Sequence, residues 1–449
     1  MTLFALLLGF SGRTEVLVPD LEFSQTAPAP VATSWWLSFD DPTLTALVEQ
    51  GLDRNLDLVS AEHRVRSAKA RSWQSASPAL PYANLSASQA LLPCEGASFN
   101  VCEPVALANQ EDTPDSYSTQ AWSLNAGMNV DLFGATTNSA LATRLEARAA
   151  EGDLAAAELL VSTRVASTWF LLSAAREQLE ITQAQVELQR DLLAIAELQL
   201  ERGLATGLDV LQQRQAVAQA EAGLPGAAAG VRNAELALAL LLDGDLVSPD
   251  LPGGGLPALP PTPGTGTPDD LLERPDVAAS MARLEAARKR EKSAARSALP
   301  SVALSGSTGV QTSTILDEES EVDTWQLAAG VTVPILNGGY HAANTSASRA
   351  ETDAARAAAQ QALNTAVQEV ETALANEAAA ADTVAANRVF LEAAELAYGQ
   401  ALDRYAAGNV PYVQVAAAAN SLYAARISEL SARRAQLDAR LALHSALGR

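Results

Sequence analysis

The sequence repeats itself, and this repeat restricts the possible folds more than any other feature does. Residues 55–89 align without a gap on residues 274–308, with 11 identities in 35 positions. A second block pairs residues 122–127 with residues 325–330, and each segment begins with Trp. Two similar units have to be built from the same order of helices and strands, so the sequence predicts a tandem duplication.

Very long helices are predicted in both units. Residues 136–202 contain no Pro, and neither do residues 339–407. At a rise of about 1.5 Å per residue, a helix of that length would extend about 100 Å. A shorter helix is predicted before each of them. The first opens at Asp41-Pro42 and stops near Pro78, and its counterpart runs from Pro275 to Leu299.

Each long helix is predicted to turn back in a tight hairpin. In the first unit, Gly203 suits the left-handed position after a helix, and Thr206 with Asp209 forms a capping-box pattern that restarts one. The second tip is predicted from Gly408 as the helix end, Asn409 as the next cap and Pro411 in the first turn of the returning helix.

Two strands are predicted in each unit, between the short helix and the long one. Residues 122–132 and 325–335 alternate between apolar and polar side chains with a period of two. Tilted strands of ~9–11 residues cross a bilayer, and Trp settles at its interfaces, so Trp122 and Trp325 favour membrane strands. Weaker, Ser-rich partner strands are predicted at 82–92 and 301–315. An amphipathic strand of a soluble sandwich would show the same alternation.

No uninterrupted apolar run approaches the ~20 residues that a membrane-spanning helix needs. The best internal run, Leu236–Leu242, has seven residues. A membrane span would therefore have to consist of strands. Four strands are too few for a barrel with a polar interior, because the smallest outer-membrane barrels use about eight. Oligomerisation follows if these are membrane strands.

The charge balance excludes some partners. There are 30 basic and 53 acidic residues, and the net charge of -23 repels nucleic acid and anionic headgroups. A conduit lined for cations and a solvated acidic exterior both fit this excess. No Ser/His/Asp arrangement, phosphate loop or zinc spacing is present in the sequence. The sequence thus predicts no catalytic residue, no metal site and no cofactor.

The two cysteines lie in a loop-like stretch. Cys94 and Cys102 are separated by eight positions among Pro, Glu, Asn and Gly. This favours a loop disulfide in an oxidising compartment over metal binding, and two free thiols remain the alternative. The apolar run Leu3–Phe10 is typical of a secretory leader core and predicts export.

The predicted organisation has four parts. Residues 1–30 form a leader-like segment and an extended arm, 31–248 the first unit, 249–270 a Pro/Gly-rich connector and 271–449 the second unit. The strand pairs are predicted at about 82–133 and 301–336, and the hairpin tips near 203–209 and 405–412. The loop at about 93–118 carries both cysteines, whereas Asp317-Glu318-Glu319 is predicted as a shorter turn.

Five stretches carry a resemblance to a known family. They are Trp35-Trp36-x-x-Phe39-x-Asp41-Pro42, Asn55-Leu56-Asp57-Leu58, Asp131-Leu132-Phe133-Gly134, Leu204-Ala205-Thr206-x-Leu208-Asp209-Val210-Leu211 and Leu271-Leu272-Glu273-Arg274-Pro275-Asp276-Val277. With these stretches the chain resembles the TolC-type outer-membrane efflux proteins, in particular their NodT/OprM-like branch. The resemblance extends from about Glu15 to Leu447.

The resemblance implies a mixed α and β membrane protein. The resemblance also implies a homotrimer. Each chain gives four strands to one 12-stranded outer-membrane β-barrel, and a long α-helical barrel continues this barrel into the periplasm. The implied function is passive efflux of drugs or small molecules, passed on by a periplasmic adaptor and an inner-membrane pump of the RND type. Outer-membrane lipid surrounds the barrel, and no catalytic residue is expected.

The resemblance also assigns roles at the tips. Asp209 matches an aspartate that constricts the pore, and Tyr405 matches a tyrosine of the closed gate. Taken alone, Asp209 also fits a helix cap, and Tyr405 fits an interhelical packing residue. Gln414 and Val410 depart from the Asp and Arg of some members, so a lock here would use fewer charge pairs. The residues expected to contact the adaptor are Gly203, Leu204, Thr206, Gly408, Asn409 and Pro411.

Two other functions remain open. The same kind of duct serves type I protein secretion, and only the branch motifs favour efflux. A coiled-coil scaffold without a pore would show sustained heptads and no membrane-length strands. The duplicated strands led by Trp argue against the scaffold.

Overall fold

The computed structural model describes residues 34–94, 108, 115–244, 255–264, 267–315, 318–407 and 409–448. The leader-like run and part of the connector lie outside the described residues. The α-helices of the described part are α1 (Pro42–Arg54), α2 (Leu56–Ala76), α3 (Ala135–Glu201), α4 (Gly207–Leu241), α5 (Pro275–Arg296), α6 (Tyr340–Ala406) and α7 (Tyr412–Leu447). The two long helices that the Pro-free stretches predict are confirmed, since α3 and α6 have 67 residues each.

The strands form one antiparallel sheet. They are β1 (Tyr82–Pro93), β2 (Ser116–Val130), β3 (Ser301–Ile315) and β4 (Glu318–Thr332). Their order in the sheet is β1-β2-β3-β4. The two predicted strand pairs therefore join through β2 and β3, where Trp122 lies opposite Val310.

The boundaries of two strands differ from the prediction. β4 starts at Glu318 instead of Trp325 and ends at Thr332. Pro334 has no N–H to donate to a sheet, so the strand stops before it. The prediction that Glu318 and Glu319 form a turn is wrong, because both lie in β4. β2 likewise starts and ends earlier than predicted.

The first predicted short helix is two helices. Asn55, between α1 and α2, has an extended backbone with ψ of 125°. Its side chain accepts a hydrogen bond from the Asp57 N–H at 3.0 Å and donates one to the Leu241 carbonyl at 2.9 Å. The first bond satisfies an N–H at the start of α2, and the second satisfies a carbonyl at the end of α4; both groups would otherwise lack a partner within their helix. Arg274, which aligns with Asn55 in the repeat, has a similar ψ of 131° and precedes α5.

The chain divides into two compact units. One comprises the described residues of 1–64, 150–280 and 358–449, and its main core gathers Trp35, Phe39 and Phe170 with aliphatic side chains. Asp41 begins α1 there by accepting hydrogen bonds from two backbone N–H groups, and it also accepts one from Trp169 Nε1 at 2.9 Å. The other unit comprises 65–149 and 281–357 and holds the four strands, so we call the first one the helical unit.

A buried ion pair holds the connector. Arg440 is 2% exposed and pairs with Glu377. The Arg440 guanidinium also donates to the Pro260 carbonyl and, at 3.1 Å, to the Thr262 hydroxyl. Residues 255–264 contain neither helix nor strand. The Pro260 carbonyl and the Thr262 hydroxyl of this segment are bonded to side chains of α6 and α7.

Among the described helices, α3 is long and apolar enough by length and composition to cross a membrane. Its apolar residues are interrupted by polar ones, so it contains no uninterrupted apolar run of that length. Val165 and Phe170 of α3 are fully buried in the main core. A buried core helix of a soluble protein can have the same length and composition.

Candidate functional site

The sheet has two chemically different faces. Residues directly opposite each other on antiparallel strands point to the same face, so the register assigns each residue to a face. We call residues that lie opposite one another across the strands a rung. On the apolar face, five successive rungs carry the β2 residues Trp122, Leu124, Ala126, Met128 and Val130, and the β3 partners include Val310, Leu304 and Val302.

Trp122 and Trp325 lie at one border of this apolar face. Leu124, Thr308 and Trp325 lie in one rung. Trp122 lies in the adjacent rung of the same face. The following rung is polar and consists of Gln89, Gln120, Thr312 and Glu321. Both indoles are exposed, at 59% and 83%. An apolar band of this length with Trp at its border is the surface that outer-membrane strands present to lipid.

The opposite face is polar. The Ser86 and Ser123 hydroxyls are 2.8 Å apart, and the Asn125 amide donates to Ser123 Oγ at 3.2 Å. Ser123 and Asn125 are half-buried. Their sequence neighbours Trp122 and Leu124, which point to the apolar face, are exposed. The alternation that predicted two faces is therefore seen in the structure, with hydroxyl and amide groups gathered on one of them.

The first hairpin tip follows the predicted local chemistry. Gly203 has φ of +73°, and the Leu204 N–H donates to the Gln199 carbonyl at 2.9 Å, which closes α3 in a Schellman-type end. The Thr206 hydroxyl accepts from the Asp209 N–H at 3.3 Å, and Asp209 Oδ2 accepts from the Thr206 N–H at 2.8 Å. The predicted capping box and left-handed Gly203 are confirmed. Hydrogen bonds from Thr206 lower the pKa of Asp209.

The second tip differs from its prediction. The N-cap of α7 is Pro411, which makes no side-chain cap bond. The prediction that Asn409 caps this helix and that Pro411 lies in its first turn is therefore wrong. The Asn409 N–H instead donates to the Arg404 carbonyl at 2.9 Å and closes α6. Gly408 lies outside the described residues. The expected contact residues Gly203, Leu204, Thr206, Asn409 and Pro411 are all exposed.

Tyr405 is packed inside the helical unit. It is 5% exposed, and its ring meets Tyr412 edge to face at 5.9 Å between centroids. Leu192 of α3 and Val415 of α7 complete the cluster. Burial raises the pKa of Tyr405, and burial, the neighbouring Tyr405 and the Asp209 charge raise that of Tyr412 to about 12. The charge of Asp209 also raises the pKa of Tyr405, so the structure brings the two predicted tip residues near each other.

Sequence reasoning missed Tyr412 and a buried amide layer. Both tyrosine hydroxyls are buried and bond no atom of the described residues. The Gln213 amide donates to the Gln189 carbonyl at 2.6 Å and to its Oε1 at 2.9 Å, and Gln189 donates to Asn420 at 3.4 Å. This layer connects α3, α4 and α7. The only sequence signal was that two tyrosines flank the second tip.

The remaining candidates are the cysteines and metal ligands. Cys94 is fully buried and disulfide-bonded, and its N–H donates to the Asp115 carbonyl at 2.9 Å. Cys102, the second cysteine of the sequence, lies outside the described residues, so the pairing of these two remains a prediction. In the part of the chain that the structure describes, no three His, Cys, Asp or Glu side chains group closely enough to hold a metal ion.

Comparison with known proteins agrees with this geometry. A solved structure of the outer-membrane channel OprN superposes with a TM-score of 0.82 at 24% identity, over 97% of this chain and 98% of the other. The pyoverdine export outer membrane protein OpmQ of Pseudomonas aeruginosa is 30% identical over 92% of this chain and 86% of its own length. The cation efflux system protein CusC of Escherichia coli O6:H1 is 26% identical over 92% of this chain and 87% of its own.

The fold and the two-faced sheet define an outer-membrane channel component of efflux systems. A sequence profile described as "Outer membrane efflux protein" matches residues 47–244 and 268–449. The chain belongs to this family and is an outer-membrane protein. The resemblance inferred from its motifs is confirmed.

Proposed function

We propose that three copies of this chain form one passive exit channel. Each copy contributes four strands to a 12-stranded barrel, and the helical hairpins of the three copies form a helical barrel in the periplasm. The two-faced sheet supports this most directly, because an apolar face needs lipid and a polar face needs water. In the described sheet, β1 and β4 are edge strands. Pairing β4 of one copy with β1 of the next would satisfy both edges.

The duplicated construction supports the same proposal. α3 and α6 have equal lengths, α4 and α7 have 35 and 36 residues, and α2 and α5 have 21 and 22. Asn55 and Arg274 have the same extended backbone at aligned positions. A tandem duplication explains both observations. Two similar units per chain would give a trimer six similar strand pairs and six hairpins.

The exposed tips are the proposed contact with a periplasmic adaptor, through which an inner-membrane pump of the RND type delivers cargo. The relatives export pyoverdine or cations by name, so we propose a small molecule or an ion as cargo. The channel needs no chemistry of its own, and we propose that the chain is not an enzyme. A constricting role for Asp209 and Tyr405 is part of this proposal.

Native mass spectrometry of the full-length protein, released from its detergent micelle, tests the assembly. We expect the mass of three chains. A second sample, incubated in denaturant before measurement, provides the one-chain reference. A predominant mass of one or two chains in the untreated sample would contradict the trimer.

A further inference from the structure

The helices next to the sheet carry a local surplus of positive charge. Residues 65–76 of α2 and 281–296 of α5 contain nine basic and two acidic side chains. By contrast, residues 150–201 of α3, in the helical unit, contain three basic and nine acidic side chains. The net charge of -23 disfavours anionic partners for the chain as a whole. The ends of α2 and α5 are a local exception to it.

The two acidic side chains of this stretch are already neutralised by ion pairs. Glu285 pairs with Arg288, and Glu291 pairs with Arg349 of α6 at 3.5 Å. Three basic side chains of α5 form no ion pair with any described residue: Lys289, Lys292 and Arg296. Their charges are therefore available to a partner outside the chain.

These three side chains lie on one side of α5. Lys292 follows Lys289 by three positions and precedes Arg296 by four, and this spacing places neighbours on the same helix face. Arg290 lies on the opposite side, because two positions turn a helix by about 200°. There it pairs with Glu146 of α3 at 3.0 Å. The two exposed sides of α5 therefore differ in how their charges are used.

An exposed Trp indicates which side is turned to lipid. The repeat aligns Trp73 of α2 with Lys292 of α5, and the Trp73 side chain is 74% exposed. Indole rings settle where the hydrocarbon of a bilayer meets water. Trp122 and Trp325 lie at the other border of the apolar face. Trp73 therefore favours its own side of α2, and the Lys292 side of α5, as the outer one.

The three basic side chains lie just beyond the end of the apolar face. Its last rung includes Val130 and Val302. α5 ends at Arg296, and a Cβ added to Gly134, in the turn between β2 and α3, would lie 2.8 Å from the Arg296 guanidinium. Lys292 is one helical turn further, ~6 Å along the axis. The headgroup layer extends roughly 5–7 Å beyond the hydrocarbon on each side, so these charges are at its level.

We propose that Lys289, Lys292 and Arg296, the basic collar, bind the phosphate groups of anionic phospholipids in the periplasmic leaflet. This inference rests on the proposed placement of the helices in the periplasm. Lys binds phosphate as a point charge, and Arg binds it through paired N–H donors. The apolar face and the basic collar then match the two parts of one phospholipid, its acyl chains and its phosphate.

Lipid binding to the purified full-length protein tests the basic collar. The protein is mixed with equal amounts of phosphatidylglycerol, which is anionic, and phosphatidylethanolamine, which has no net charge. Native mass spectrometry counts the lipids bound to each trimer. We expect a severalfold excess of bound phosphatidylglycerol, which falls as the ammonium acetate concentration rises because salt screens the attraction. Lys289→Gln/Lys292→Gln should lose most of this excess.

Arg71→Gln/Arg290→Gln is the matched control. It also removes two positive charges, and Arg290 is the sequence neighbour of Lys289. Arg71 aligns with Arg290 in the repeat, so both charges lie on the side away from the basic collar. We expect the phosphatidylglycerol excess to stay unchanged. Lys289→Arg/Lys292→Arg keeps the charge and should keep the excess as well. Circular dichroism establishes that each variant is folded.

The outcomes separate the inference from the proposed function. Loss of the excess in Lys289→Gln/Lys292→Gln alone would support the basic collar. An unchanged excess in that variant, an equal loss in the control, or a loss in the control alone would overturn it while the channel stands. A wild-type protein with the mass of one chain would contradict the trimer, whichever lipid it carries.

Discussion

Asp209 and Tyr405 are both engaged in contacts within their own chain. The Asp209 carboxylate accepts hydrogen bonds from the Thr206 N–H and hydroxyl, at 2.8 and 2.7 Å. The Tyr405 ring packs against Tyr412. Both alternatives to constriction, the helix cap and the packing residue, thus describe contacts that exist in the chain. A constricting role has to be separated from them by experiment.

Thr206→Ala and Asp209→Ala should weaken the start of α4 to a similar extent, about 1 kcal/mol, because each removes part of the capping box. Hydrogen exchange of the amides in residues 207–211 measures this effect. Only Asp209→Ala also removes a negative charge, so single-channel conductance should rise in Asp209→Ala and much less in Thr206→Ala. Equal conductance in both variants would contradict a constricting role and leave Asp209 as a cap.

His444 makes the helical unit sensitive to acid. It stacks on Trp35 at 5.4 Å between centroids, and burial together with the nearby Arg440 charge lowers its pKa to about 4. An unfolded His has a pKa of about 6.5. The fold therefore favours neutral His444, and the unfolded chain binds more protons between these two values. The stability from this group is present above pH ~6.5 and is lost as the pH falls towards ~4.

Chemical denaturation at pH 7 and pH 4.5 tests this effect. Wild-type protein should lose about 2–3 kcal/mol more between the two pH values than His444→Gln does, because Gln cannot take up a proton in this range. Comparing each protein with itself removes the cost of the substitution. The same loss in both proteins would show that His444 does not carry the acid sensitivity.

The elements with a continuous local signal could be predicted from the sequence. α3 and α6 follow from long stretches without Pro, and the central parts of β2 and β4 follow from strict alternation. The outer ends of these strands carry polar side chains on the otherwise apolar face, at Ser118, Gln120, Glu319 and Glu321, so the alternation is absent there. The break at Asn55 is hidden because apolar residues recur with helical spacing on both sides of it, at Leu52 and Leu56.

The contacts between distant residues could not be predicted in this way. Arg440 and Glu377 are 63 positions apart on different helices, and their pairing depends on how α6 and α7 pack. Tyr412 of α7 shares the tip cluster with Leu192 of α3, which is distant from it in the sequence. Local propensity carries no information about such partners. The aspartate and tyrosine at the tips were found through the family resemblance.

The two returning helices differ in intrinsic stability. α4 contains Pro225 in its interior, together with Gly223, Gly226 and Gly230. α7 contains neither Gly nor Pro between its bounds. An interior Pro removes a helical hydrogen bond, and each Gly lowers helix propensity by about 1 kcal/mol relative to Ala. The middle of α4 should therefore open more readily than that of α7.

Gly226→Ala and Gly230→Ala should each stabilise α4 by about 0.5–1 kcal/mol, because the added Cβ meets no atom within 4 Å. Slower hydrogen exchange in residues 221–232 and a higher unfolding temperature would show it. Gly152→Ala is the matched control in another helix. Its Cβ would lie 2.9 Å from the Pro275 carbonyl oxygen, so it should destabilise. Destabilisation by Gly226→Ala or Gly230→Ala would show instead that another chain packs closely on this face.

On the scale of the whole molecule, charge and polarity are distributed unevenly. The chain carries -23, yet the polar face of its sheet is nearly neutral, and Arg440 and Glu377 compensate each other inside the helical unit. A cation preference of the channel would therefore arise outside the membrane level of the sheet.

The conductance of the purified full-length protein in a planar bilayer tests the central claim, that this chain forms a water-filled channel through the outer membrane. We expect discrete conductance steps, with a reversal potential that favours potassium over chloride because acidic residues are in excess. Circular dichroism of the same preparation establishes that the protein is folded. Folded protein that inserts into the bilayer and produces no conductance would contradict the claim.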